Sequence, residues 1–136
     1  MRSIRSAAIV LSLTVLVSGG EILAGWLHAQ QPTLTAPANP SPYYIVNFVD
    51  ITPDNKDAAV ATLKQYVIDM RKESGNLRAE ALVQLNRVNH FVVYEEWQNE
   101  AAFKKHEGSA TTLQFRNRIG PMLGAPFDER PHFKLE

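Results

Sequence analysis

The chain has 136 residues, of which 45% are hydrophobic and 21% charged, and its 14 basic and 14 acidic side chains cancel to a formal net charge of zero. This composition is ordinary for a globular protein. Because the charge is balanced and no Lys/Arg run is present, nucleic acid is not expected as a partner. The sequence contains no cysteine, which excludes disulfides, thiolate metal sites and a catalytic thiol.

The first thirty residues differ in character from the rest. Arg2 and Arg5 precede a long apolar run, and Leu27-His28-Ala29 is typical of a cleavage site. This pattern predicts a cleaved signal peptide over residues 1–29, and therefore an exported protein, periplasmic or secreted, with no membrane contact after cleavage. The alternative is an uncleaved membrane anchor through residues 7–27, although its uninterrupted apolar core is shorter than a span requires.

A proline-rich stretch separates this segment from the remainder of the chain. Residues 30–42 hold four of the eight prolines and carry no charge, so they are predicted to be a linker. Residues 43–136 then suffice for one small domain with a single hydrophobic core.

The domain opens with a strand and a helix. Residues 43–51 are β-branched and aromatic, with apolar side chains at both odd and even positions, as in a strand that is covered on both faces. A helix is predicted over residues 53–74, because Pro53 suits its first position, apolar residues recur every three or four positions, and Gly75 suits its end.

Shorter elements follow. Residues 77–85 and 90–97 are predicted strands joined by a hairpin turn over residues 86–89. Asn99 and Ser109 are suited to cap two short helices. The last predicted strand, residues 127–135, contains a proline and is therefore placed at a sheet edge or bulge.

The predicted order β-α-β-β-α-β indicates an α+β fold, a ferredoxin-like four-stranded antiparallel sheet with helices on one face. Such helices cover only one face of the sheet, yet the first and third strands are apolar on both faces. A second surface must therefore bury the other face. Two sheets packed face to face in a symmetric homodimer meet this requirement, so a homodimer is predicted.

A family resemblance rests on two adjacent motifs. The block YEEW (94–97), followed by NEAAFKKH (99–106), resembles the signature of the antibiotic biosynthesis monooxygenase superfamily, which includes quinol monooxygenases. The resemblance runs from about Tyr43 to Leu135 and implies a dimeric α+β barrel. Within ESGNLR (73–78) the chain has Ser74-Gly75-Asn76 where relatives carry a Glu-Pro-Gly-Cys type of turn, and this departure is expected to affect the turn and not the pocket.

The resemblance implies oxygenation of a small aromatic substrate, such as a hydroquinone or polyphenol, by O2 without metal, flavin or another cofactor. The protein would then deprotonate the substrate, stabilise its oxyanion and exclude water. Haem degradation is disfavoured, because the tryptophan and histidine of haem-degrading relatives do not both recur. The histidines show no metal-ligand spacing. The alternative function is a non-catalytic dimer that binds a small hydrophobic ligand or serves as a structural module.

Four residues are predicted to be catalytic. His106 matches the histidine that ends the family's short-helix motif and is the candidate base; the alternative is a contact with the terminal carbonyls of its own helix. Trp97 is a candidate N–H donor to a substrate oxygen, or else a packing residue. Asn47 is polar within an apolar strand, as in relatives that place such an asparagine in the pocket. Tyr94 is either a donor to the substrate or a core tyrosine.

Three further residues are predicted to bind the substrate, namely Glu95, Phe103 and Arg116. Glu95 alternates with its neighbours along the strand and is expected to point inward. A structural alternative is that Glu95 or Glu96 pairs with a basic residue such as Arg78 or Arg116. For Arg116 the choice lies between an anionic group of the substrate and a solvated helix face.

Overall fold

A computed structural model describes residues 34–135 of the chain. The predicted signal peptide and the alternative membrane anchor fall within residues 1–33 and lie outside the described residues. The described part of the predicted linker, residues 34–42, contains neither helix nor strand. No helix in residues 34–135 is long and apolar enough to cross a membrane.

Four strands and three helices form the domain in residues 34–135. Their bounds are β1 Tyr43–Asp50, α1 Lys56–Met70, β2 Asn76–Gln84, β3 Arg87–Trp97, α2 Glu100–Glu107, α3 Ala110–Ile119 and β4 Asp128–His132. The sheet order is β2-β3-β1-β4, and every neighbouring pair is antiparallel. The predicted ferredoxin-like sheet, with helices on one face, is confirmed.

The first helix is shorter than the predicted 53–74 at both ends. Pro53–Asn55 form a 3₁₀ turn, and α1 ends at Met70. The chain then turns toward Gly75, whose φ of +89° lies in the left-handed region that glycine tolerates. A Cβ at Gly75 would lie 2.6 Å from the Ala102 Cβ. Packing of the turn against α2 therefore requires glycine here.

The hairpin between β2 and β3 is tighter than predicted. Asn86 adopts a positive φ of 65°, which asparagine accepts more readily than most residues. As a result, β3 begins at Arg87 and takes in the predicted turn over residues 86–89 almost entirely. The last strand, β4, lies at the sheet edge as predicted, but it covers only Asp128–His132 of residues 127–135.

Alternation along β1 and β3 divides the sheet into two faces. The inner face, formed by the odd-numbered residues of these strands, packs against the helices and holds the buried core. That core includes Ile45, Val49, Phe91, Val93 and Trp97 of the sheet and Leu63, Met70, Phe103 and Phe115 of the helices. The outer face, formed by the even-numbered residues together with Leu82 of β2, has no covering layer in residues 34–135. Phe48 is 40% exposed there and Leu82 is 52% exposed.

Candidate functional site

A carboxylate lies among apolar side chains on the inner face. Glu95 of β3 and Asn47 of β1 are each only 1% exposed. The Asn47 amide donates a 2.7 Å hydrogen bond to Glu95 Oε1, and the Trp97 indole N–H donates a 2.8 Å hydrogen bond to Glu95 Oε2. Both Glu95 oxygens therefore accept a hydrogen bond. The Trp97 N–H, predicted as a donor to the substrate, is already bonded to Glu95.

His106, in the last turn of α2, is 2% exposed. Its Nδ1 lies 2.8 Å from Glu73 Oε2, and its Nε2 lies 3.0 Å from the Tyr66 hydroxyl. An ionised carboxylate only accepts hydrogen bonds, so Nδ1 carries the proton and Nε2 accepts from Tyr66. The alternative, a contact with the helix-terminal carbonyls, is wrong, because both ring nitrogens bond to side chains from other elements.

Glu73 is fixed in turn by the start of α3. The Ser109 hydroxyl donates to Glu73 Oε1 at 3.1 Å, and its oxygen caps α3 by accepting from the Thr112 backbone N–H at 3.2 Å. Glu73 belongs to the ESGN turn that precedes β2. The turn therefore supplies the carboxylate behind His106 through Glu73. The departure from the relatives' turn lies in residues 74–76, after Glu73, and its expected lack of effect on the pocket stays a prediction.

The pKa values of the buried groups favour their neutral forms. Burial raises the pKa of Glu95 to about 7, against the opposing hydrogen bond from Trp97. Burial lowers the pKa of His106, although the hydrogen bond to Glu73 works the other way. Burial also raises the pKa of Tyr66. Glu95 Oε2 and His106 Nε2 are 3.8 Å apart, but these shifts oppose a full ion pair at neutral pH.

Aromatic rings enclose this cluster. The Trp97 and His106 rings are 4.5 Å apart between centroids, Phe103 lies 6.2 Å from His106, and Tyr66 stacks on Phe115 at 3.8 Å. A proton moving among these groups therefore does so in a medium of low polarity, where electrostatic effects are large.

One buried acceptor near Glu95 is unsatisfied. Within residues 34–135, Asn47 Oδ1 has no hydrogen-bond partner, which costs about 1–3 kcal/mol. Five of the seven predicted site residues thus lie in one buried cluster on the inner face: Asn47, Glu95, Trp97, Phe103 and His106.

The fold separates Tyr94 from that cluster. Successive residues of a strand point to opposite faces, so Tyr94 lies on the outer face while Glu95 lies on the inner one. Its ring lies 6.4 Å from that of Tyr44, and the Arg78 guanidinium lies 5.5 Å from its centroid. Tyr94 is therefore not a neighbour of His106.

The predicted pairing of Glu95 or Glu96 with Arg78 or Arg116 is wrong. Arg78 pairs with Glu80 at 3.0 Å, and Arg116 pairs with Glu129 at 3.2 Å. Each arginine has a nearer carboxylate, and Glu95 is instead bonded by two neutral donors. Arg116 lies at the surface beside β4, apart from the buried cluster.

The sequence patterns did not indicate two central members of the site. Tyr66 falls on the apolar stripe of α1 between Leu63 and Met70, where a tyrosine is indistinguishable from a core residue. Glu73 lies in a turn, and no spacing in the sequence links it to His106. Only the packing of α1 and α2 against the sheet brings these side chains together.

Two clefts reach the cluster from the surface. A cleft of about 370 Å³ lies between α1 and α3, with Tyr66 and Glu73 in its wall. A second cleft of about 380 Å³ lies beside the turn between α2 and α3, with His106 and Glu73 in its wall. No group of three His, Cys, Asp or Glu side chains in residues 34–135 is arranged to hold a metal ion.

Comparisons with known proteins relate this geometry to a family. The family model described as antibiotic biosynthesis monooxygenase matches residues 42–118. A Bacillus subtilis (strain 168) protein named "Putative monooxygenase YcnE" is 27% identical over 81 residues, which cover 60% of this chain and 85% of that protein.

Solved structures show the same fold. Rv0793 from Mycobacterium tuberculosis has a TM-score of 0.66 at 23% identity, covering 71% of this chain and 97% of its own. A Nitrosomonas europaea protein named as a putative antibiotic biosynthesis monooxygenase has a TM-score of 0.66 at 19% identity, covering 69% of this chain and 99% of its own. With the family match over more than half of its length, the chain belongs to the antibiotic biosynthesis monooxygenase family.

Proposed function

We propose that this protein is a cofactor-independent monooxygenase that oxidises a quinol or a related electron-rich phenol with O2. The observation that carries the proposal is the buried chain of hydrogen bonds from Glu73 through His106 to Tyr66. It holds an unprotonated imidazole nitrogen in an apolar setting, with a carboxylate behind it and a phenol in front. Membership of the family supports the general class of reaction.

The chemistry requires only a base, a site for the substrate and O2. Removal of a phenolic proton gives a phenolate, which is itself a reductant toward O2. For a hydroquinone, one oxygen atom enters the ring and the other leaves as water, giving a hydroxyquinone. The substrate supplies all four electrons, so the stoichiometry needs no external reductant.

The side chains divide this work by position. His106 Nε2 accepts the proton by way of the Tyr66 hydroxyl, and Glu73 holds the imidazole in the required tautomer and stabilises it when it becomes charged. Glu95, with a pKa of about 7 and 3.8 Å from His106, is placed to take up or return a proton as the reaction proceeds. Trp97 and Asn47 keep that carboxyl group in place.

The proposal includes a homodimer in which a second copy covers the outer face. Exposed Phe48 and Leu82, together with the half-buried Tyr44, Val46 and Tyr94, form the apolar surface that supports it. Burying such a face against its own copy removes this area from water on both chains at once.

The proposal also places the protein outside the cytoplasm, on the sequence pattern of residues 1–29. A cofactor-free reaction suits a compartment without a supply of reduced nicotinamide. The mass of the protein recovered from its native host decides between cleavage near residue 29 and an uncleaved anchor.

A non-catalytic ligand-binding module is the second candidate, and one observation favours it. Asn47, Glu95 and His106 are all at most 2% exposed, so these groups also satisfy one another as a purely structural network would. The two functions differ in turnover, because a binding module gives saturable affinity and consumes no O2.

Oxygen uptake by the purified full-length chain tests the proposal. A panel of hydroquinones and polyphenols is assayed with a metal chelator present, against the autoxidation of each compound alone. His106→Ala, and His106→Gln as a variant that fills more of the volume, should lower the rate by about 10²–10⁴-fold, while the exposed control His132→Ala should not. No uptake above background from folded protein would favour the binding module.

A further inference from the structure

The cleft between α1 and α3 offers a route to the Glu73–His106–Tyr66 chain. The Tyr66 hydroxyl is hydrogen-bonded to His106 Nε2 at 3.0 Å. Tyr66 is also one of the residues that line the cleft. Phe115, stacked on Tyr66, also lines the cleft. At about 370 Å³, the cleft is within the size range of small-molecule sites, roughly 300–1,000 Å³.

The charged side chains that line this cleft differ in how many hydrogen-bond and ion-pair partners they have. Asp69 is bonded on both oxygens, by Lys72 at 2.7 Å and by Gln65 at 2.8 Å, and Glu73 is bonded to His106 and Ser109. Arg118 of α3 is exposed at the same cleft. Among residues 34–135, no carboxylate lies within ion-pair distance of its guanidinium, and Asp69 in the same wall interacts with Arg118 only at longer range.

We propose that the α1–α3 cleft binds a phenol that carries a carboxylate, with Arg118 as the counter-charge of the carboxylate and Tyr66 at the reacting hydroxyl. This inference rests on the proposed function and names the substrate class of the same site. A guanidinium with free donors presents a planar fork that matches a carboxylate, and the charge-assisted bonds are stronger than neutral ones.

In the proposed arrangement the proton passes through Tyr66, whose hydroxyl is bonded to His106 Nε2. The substrate hydroxyl gives its proton to the Tyr66 oxygen as Tyr66 passes its own proton to His106 Nε2. The products are a phenolate and an imidazolium that faces Glu73. Tyr66 ends the step in its original protonation state, which agrees with burial opposing its ionisation.

Binding under nitrogen separates this inference from the oxygenation itself. The full-length chain is titrated calorimetrically with 2,5-dihydroxybenzoate and with its neutral analogue 2,5-dihydroxybenzamide. We expect the benzoate to bind about tenfold more tightly, because one charge-assisted contact at a solvent-accessible position has a value of that order. In Arg118→Gln this preference should disappear, so that the two compounds bind with similar affinity.

Arg87→Gln, at the distant β2–β3 hairpin, is the matched control and should keep the full preference. Equal affinity of the native protein for both compounds would overturn the inference, as would a preference that persists in Arg118→Gln or disappears equally in Arg87→Gln. If the preference depends on Arg118 but no phenol supports oxygen uptake in air, the proposed function fails while the assignment of the cleft stands.

Discussion

The two faces of β1 and β3 are built from alternate residues of the same strands, yet they differ in kind. The inner face is closed by three helices, and its strands contribute two buried polar residues, Asn47 and Glu95, beside a mostly apolar core. The outer face carries aromatic and aliphatic side chains and has no covering layer in residues 34–135, as exposed Phe48 shows.

The difference shows how the face of the sheet sets the surroundings of a polar side chain. A polar group on the outer face meets water or a second copy, and its pKa and partners are set by those. On the inner face, burial makes the same kind of group depend on its neighbours for every hydrogen bond. Glu95 and Glu96 are the simplest case, because these adjacent residues of β3 point to opposite faces and only Glu95 is buried in the core.

Trp97→Ala should give the largest loss of stability. Trp97 is fully buried and also donates to Glu95, so we expect the free energy of unfolding to fall by about 3–5 kcal/mol. Tyr94→Ala, on the outer face, is the control and should cost clearly less in dilute protein. Urea unfolding measures both; equal losses would show that the two faces contribute alike.

Glu95→Gln should change how stability depends on pH. The folded protein holds the Glu95 proton up to about pH 7, whereas the ordinary pKa of a glutamate is 4.5. Ionisation of Glu95 therefore lowers the free energy of unfolding as pH rises through that window. The variant lacks this loss and should gain roughly 3 kcal/mol relative to the native protein between pH 4.5 and pH 8.

The lowered pKa of His106 gives the opposite slope, with stability lost as pH falls below the usual histidine range, but it is present in both proteins and largely cancels in the difference. Glu96→Gln is the matched control for loss of a carboxyl group on the other face. Denaturant unfolding across the pH range provides the measurement. A constant difference between Glu95→Gln and native protein would contradict the raised pKa.

Tyr66→Phe should lower the rate of oxygen uptake by about 10²-fold, because it removes the hydroxyl through which the proton reaches His106. The free energy of unfolding should fall by only about 1 kcal/mol, the usual value of one hydrogen bond. Tyr44→Phe on the outer face is the control. If Tyr66→Phe takes up oxygen at the native rate, Tyr66 is not part of the proton path.

Phe48→Ala should have the smallest effect on the single chain, under about 1 kcal/mol, since Phe48 is 40% exposed. Its effect should appear in assembly: light scattering at micromolar concentration should give a dimer for the native protein and a larger monomer fraction for the variant. A monodisperse native monomer would overturn the proposed homodimer.

Much of the fold could be predicted from alternation and helix signals. The two-sided apolar strand, the capping residues Asn99 and Ser109, and the proline in the last strand all correspond to features of the structure. The end of α1 could not be predicted, because the turn after Met70 is fixed by the contact between Gly75 and Ala102, which are distant in sequence.

Some residues of the site could likewise be predicted from the sequence, and others could not. Strand periodicity already puts Glu95 and Trp97 on one side of the sheet and Tyr94 on the other. The strand-end tryptophan Trp97 and the histidine that ends the short-helix motif, His106, both lie in the buried cluster. The bonds from Tyr66 and Glu73 to His106 join residues 40 and 33 positions apart. Such contacts depend on how the helices pack, and local pattern carries no information about them.

The sequence by itself determined the order of the elements, which side chains alternate between the two faces, and the family to which the chain belongs. These properties follow from local backbone preference and from the spacing of apolar residues. Only the tertiary structure decided which carboxylate holds His106, that Trp97 serves Glu95, and that Arg116 lies at the surface with Glu129. The reason is physical: a buried polar group must find its partners among whatever the packed core brings within hydrogen-bond distance.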